Sequence, residues 1–85
     1  MKEITIDCAA LDTSRLMHLA LAEAFAFPDW YGHNLDALHD LLTSITEDTR
    51  LTLLNFENSG NWSRGFCRVF RDAMQKNPHF KIIMQ

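Results

Sequence analysis

The sequence predicts an α/β fold: a three-stranded parallel sheet packed by three to four helices, in the order β-α-α-β-α-β. Two observations carry that prediction. Three short segments have strand character, and helical periodicity fills both intervals between them. Parallel strands need such crossovers, and the connections are right-handed. The middle segment, Arg50-Leu51-Thr52-Leu53-Leu54-Asn55-Phe56, is a short apolar run, which reads as a central strand with both faces covered. With no linker, repeat or low-complexity stretch, residues 1–85 are expected to form one small domain.

Lys2-Glu3-Ile4-Thr5-Ile6-Asp7 alternates polar and β-branched residues and predicts the first strand. Asp12, Thr13 and Ser14 are all competent helix caps, and a helix is expected from there to about Phe25. At about 100° per residue, Met17, Ala20, Leu21, Ala24 and Phe25 share its inner face. Arg15, His18, Ala22 and Glu23 fall opposite, so His18 is expected to be a solvated surface histidine. Pro28 stops this helix, because proline lacks a donor and disfavours helix in the residue before it. Gly32 permits a positive φ and predicts a sharp turn. Asn34 then caps a second helix. Its buried side is Leu35, Leu38, Leu41 and Leu42, while His33, Asp36, His39, Asp40 and Thr43 occupy about 120° of the other. After the central strand, Glu57-Asn58-Ser59-Gly60-Asn61 reads as loop with at most one helical turn. Asn61 or Ser63 caps a third helix running to about Lys76, ahead of Asn77-Pro78. Phe66, Cys67, Val69, Phe70, Ala73 and Met74 form its apolar face, and Phe80–Met84 is the last strand.

Composition is that of an ordinary globular chain, 47% hydrophobic and 22% charged. A net charge of −3 argues against nucleic acid as a partner and suits a basic protein better. Cys8 and Cys67 are far apart and form no C-x-x-C motif, which predicts two reduced, buried thiols. Met1-Lys2-Glu3 leads directly into strand alternation, so no signal peptide is expected. No apolar run approaches a membrane span. A cytoplasmic protein that does not engage membranes is the expectation.

Enzyme chemistry finds little support. Gly32, Gly60 and Gly65 are isolated, so no glycine-rich phosphate loop exists, and no serine sits in a nucleophile elbow. His33, Asp36 and Asp40 share a helical face, but no further element supplies a metal ligand, so no metal or cofactor is expected. A binding module fits better. Trp30 and Tyr31 lie in a turn where both are hard to bury; Tyr31 is expected to plug the core and Trp30 to make contacts. Beside them Asp36 and Asp40 stand about one turn, roughly 6 Å, apart. Two like charges four residues apart cost a few tenths of a kcal/mol, so Asp40 needs another reason to be there. Such a face suits arginines or lysines that ordinarily hold phosphates.

The segment from Phe27 to Leu42, with Pro28, Asp29, Trp30-Tyr31-Gly32, Asn34-Leu35-Asp36-Ala37-Leu38 and Asp40 at fixed spacing, resembles the signature of the barstar family of intracellular ribonuclease inhibitors. Val69-Phe70-Arg71-Asp72-Ala73 and Ile82-Ile83 resemble that family's last helix and strand more loosely. The resemblance implies the same sheet and a mechanism of occlusion. The second helix and its preceding loop would plug a ribonuclease active site, with carboxylates in place of RNA phosphates. It assigns partner contacts to Trp30, Gly32, Asn34, Asp36, Ala37, His39, Asp40, Thr43 and Asp72, with Asp40 central.

Three positions depart from the family pattern. His39 replaces an aromatic of larger contact area, Ile45 stands where an aromatic is usual, and Lys76 reverses an acid. Arg68, Asp72 and Lys76 are four residues apart, so Asp72 is expected to be half-neutralised by its own helix. Two readings follow. One is a ribonuclease inhibitor, monomeric when free, with a barnase-like or other basic partner. The alternative is a scaffold of the same fold with a non-nuclease cytosolic partner.

Overall fold

The computed structural model describes residues 1–56 and 62–85. The strands are β1 (Lys2–Asp7), β2 (Thr49–Leu54) and β3 (Phe80–Met84), and the helices α1 (Ser14–Phe25), α2 (Leu35–Thr43) and α3 (Ser63–Lys76). One 3₁₀ turn, Cys8–Ala10, follows β1 and is capped by the Asp7 carboxylate, which accepts from the Ala9 N–H at 3.0 Å. The sheet runs β1-β2-β3 with both pairings parallel, so the predicted α/β architecture and element order hold.

β2 is the central strand, as its sequence suggested, but only one sheet face is fully covered. Ile4, Leu51 and Ile82 are in register, and so are Ile6, Leu53 and Met84. Those residues point at the helices, and Leu51 and Leu53 are wholly buried. On the opposite face Thr52 and Leu54 are half-buried, while Thr5 and Ile83 are exposed. All three helices contribute their buried apolar residues to the same core, and among the described residues no helix covers the far side. β2 also begins one residue earlier than expected and ends at Leu54 rather than Phe56. Asn55 takes φ of 60°, the left-handed region that asparagine tolerates, and this ends the extended run. Residues 57–61, expected to be loop, and Asn61 as a possible cap lie outside the described residues.

Met17 and Leu21 of α1, Leu38 and Leu42 of α2, and Phe66, Phe70 and Ala73 of α3 meet the sheet in one cluster. Burying each phenylalanine or leucine stabilises by about 1.5–3 kcal/mol. Thr13 caps α1 by accepting the Leu16 N–H at 3.2 Å. α3 starts at Ser63 with Trp62 in the cap position and no side-chain cap bond from it. α2 and α3 pack closely where Gly65 meets Leu35; a Cβ at Gly65 would stand 2.7 Å from Leu35 Cδ1. Cys8 and Cys67 are both free, with Cys8 buried and Cys67 only half-buried.

The face predicted for α1 needs correction. His18 is 4% exposed, and Ala22 packs against the core, while Leu16 and Leu19 face outward at about 40% exposure. The reason is tertiary: the chain after α1 folds back over the side that carries His18.

Candidate functional site

The loop between α1 and α2 is shaped by two left-handed residues. Ala26, at φ 56°, closes α1, and its N–H donates to the carbonyls of Ala22 and Glu23. The Phe27 N–H then reaches back to the Ala22 carbonyl at 2.9 Å. A turn through Pro28 follows, closed by the Tyr31 N–H donating to the Pro28 carbonyl at 2.9 Å. The second left-handed residue is His33, at φ 51°. The expectation of positive φ at Gly32 is therefore corrected: the sharp turn is made one residue later. Gly32 is needed for space instead, because a Cβ there would lie 2.8 Å from Asn34 Nδ2.

Tyr31 turns inward and Trp30 outward, at 5% and 71% exposure. Tyr31 packs against Phe27 and His33 and shares a 2.5 Å hydrogen bond with His18 Nδ1. His18 also stacks on His33 in near-parallel planes and touches Phe66 of α3. Burial, with His33 second, lowers the His18 pKa and favours the neutral imidazole. Burial likewise pushes Tyr31 up to about 12. Two neutral groups therefore pin the loop to α1.

Asn34 joins loop to helix. Its Oδ1 accepts the Ala37 N–H at 2.8 Å, and its Nδ2 donates to the Gly32 carbonyl at 3.2 Å. Leu38 and Leu42 seat α2 on the core, with Leu35, Ala37 and Leu41 partly buried beside them. Ile45, just beyond the helix, also packs against the core. At the other end Asn77, 4% exposed, donates to the Leu42 and Ile45 carbonyls at 2.9 and 3.0 Å and satisfies the helix terminus.

Asp36 and Asp40 are exposed on the outward side, and their carboxylates have no hydrogen-bond or ionic partner among the described residues. His39 lies beside them, half-buried, with its Nε2 bonded to the Asp72 carboxylate of α3. Lys76 reaches the same carboxylate at 3.1 Å. His39 first, and Lys76 second, hold the Asp72 carboxyl below its usual range. The sequence predicts Asp72 half-neutralised by Arg68 and Lys76; the structure replaces Arg68 with His39 across the helix pair. The Thr43 hydroxyl is engaged in α2 itself, donating to the His39 and Asp40 carbonyls.

Trp30, Asp36, His39 and Asp40 therefore stand along the loop and outward side of α2. Gly32, Asn34, Ala37 and Thr43 lie among them with side chains or backbone already used locally, and Asp72 joins through His39. Periodicity missed His18 and Asn77, whose partners are distant in sequence and carry no local signal. Among the described residues no group of three His, Cys, Asp or Glu is placed to hold a metal ion. No described helix is long and apolar enough to cross a membrane.

The family model for barstar, the barnase inhibitor, matches residues 1–85. The chain belongs to the barstar family. It is also 35% identical over 91 aligned residues to a Bacillus subtilis (strain 168) protein named "Putative ribonuclease inhibitor YrdF", with the full length of both chains covered. Membership of an inhibitor family agrees with the sequence reading of a binding protein rather than an enzyme.

Proposed function

We propose that this barstar-family protein inhibits a ribonuclease by occluding its active site with α2 and the loop before it. The observation that carries the proposal is the pair of unpartnered carboxylates, Asp36 and Asp40, on successive turns beside an exposed Trp30. Carboxylates at that spacing substitute for RNA phosphates against the arginines and lysines of a nuclease cleft. Trp30 supplies the apolar anchor that interface hot spots favour. Gly32, Asn34, Ala37, His39, Thr43 and Asp72 complete the contact set, in cytoplasm, with a monomeric inhibitor. The large hot-spot effects of the barnase–barstar pair are a standard reference for such carboxylates.

The second reading, a scaffold for a non-nuclease cytosolic partner, is favoured by one feature. The Asp72 carboxylate is already occupied by His39 and Lys76, which reduces the anionic charge offered to a basic cleft. Inhibition titrations against small basic secreted ribonucleases separate the two. The inhibitor reading expects stoichiometric, salt-sensitive inhibition that Asp40→Ala weakens by at least about thirtyfold, as removal of a buried charge partner does. Undiminished nuclease activity across the set would sink it, and pull-down recovering only non-nuclease proteins would favour the scaffold.

A further inference from the structure

The arginines of α3 lie on one side of that helix. Arg50 pairs with Glu3 and Lys76 with Asp72. Arg64, Arg68 and Arg71 are exposed and have no acidic partner among the described residues. Their spacing of four and three places them within about 60° of arc, along about 10 Å of helix. With Cys67, Asp72 and Gln75 they line one groove of about 440 Å³. Asp72 belongs to both surfaces: it bonds His39 of α2 and borders the arginine groove. Arg68 sits only about 40° around the helix from it. The anionic side of α2 and the cationic strip of α3 therefore meet at Asp72.

A partner that covers α2 and reaches Asp72 brings its surface over Arg68. Like charges placed there cost affinity, whereas carboxylates form charge-assisted, bidentate pairs with guanidinium groups. A nuclease basic over its whole docking surface matches α2 and mismatches α3. We infer that the partner is bipolar: cations in its cleft take Asp36 and Asp40, and acidic side chains beside the cleft dock on Arg68 and Arg71. This rests on the inhibitor reading above and adds the arginine strip as a determinant of which nuclease is accepted.

The test titrates the full chain, its R68E/R71E variant and Asp40→Ala against purified small secreted bacterial ribonucleases by calorimetry. The panel is chosen so that some carry an acidic cluster beside the cleft and others are basic throughout. Both arginines are exposed and have no acidic partner among the described residues, so the variant is expected to melt like the parent. If the double reversal unfolds, R68Q and R71Q read the same coupling singly. The parent is expected to bind the acid-bordered nucleases. R68E/R71E weakens that binding about tenfold or more and tightens binding to the uniformly basic ones. Asp40-dependent binding that ignores or gains from R68E/R71E overturns the inference and leaves the inhibitor reading intact. Failure of the parent to bind any nuclease overturns the inhibitor reading, and this inference with it.

Discussion

Helix α2 is held by a repeated local pattern, whereas the loop before it is held by contacts from other elements. In α2, leucines recur at helical spacing, Asn34 caps the first turn, and Leu38 and Leu42 are wholly buried. Each device acts within a few residues of the position it serves. The loop Ala26–Asn34 has no such repeat. Two left-handed residues shape it, and Tyr31, hydrogen-bonded to His18 of α1, anchors it. The exposed Trp30 rides on that anchor, while Asp36 and Asp40 ride on the helix. One continuous surface thus has two supports that fail under different stresses: the helix with loss of packing, the loop with loss of a single buried polar contact.

The sharpest way to separate the two supports is to damage each. Leu38→Ala, at a wholly buried site, is expected to destabilise the protein by about 2–5 kcal/mol through lost transfer energy and a residual cavity. Urea unfolding measures this as a lower midpoint at unchanged slope. Tyr31→Phe removes only the hydroxyl and leaves His18 Nδ1 without its partner in a buried place, an expected cost of about 1–3 kcal/mol. Its signature is local, with the amides of the loop exchanging faster while those of α2 keep their protection. If α2 loses protection equally, the two supports are one, and the comparison collapses.

A smaller effect comes from acid. In the folded protein, burial lowers the His18 pKa below its ordinary 6.5. The unfolded chain therefore takes up the proton first as pH falls. The contribution of a neutral His18 is complete above about pH 6.5, declines as pH drops from there to the folded pKa, and is level below it. Urea midpoints measured from pH 7.5 to 5 should fall in the parent protein. In His18→Gln that part of the slope should be missing. An identical slope in both would remove His18 from the account of the loop.

His33 shows how the turn was readable in outline but not in detail. A proline, a glycine and an asparagine within seven residues announce a turn into a capped helix, and the structure has one. Which residue takes the left-handed conformation depends on how Tyr31 and His33 pack against His18, and no local rule encodes that. Asp72 is similar. Its own helix suggested Arg68 and Lys76 as neighbours, yet His39 takes the first place because α2 and α3 approach closely at Gly65. The outward position of Asp36 and Asp40 was legible throughout, since helical phase alone puts them opposite the leucines.

By itself, the sequence determined the six main elements and their order, a parallel sheet, the buried face of α2, and the family to which the chain belongs. The elements and the helix face rest on periodicity, caps and turn residues, which act over a few positions and leave a local trace, while the family rests on the fixed spacing of residues from Phe27 to Leu42. Only the tertiary structure decided that one sheet face is left partly open, that His18 is buried, and that His39 binds Asp72. Each of these depends on what a distant segment places beside a residue, and burial changes the energy of a polar group far more than its sequence neighbours do.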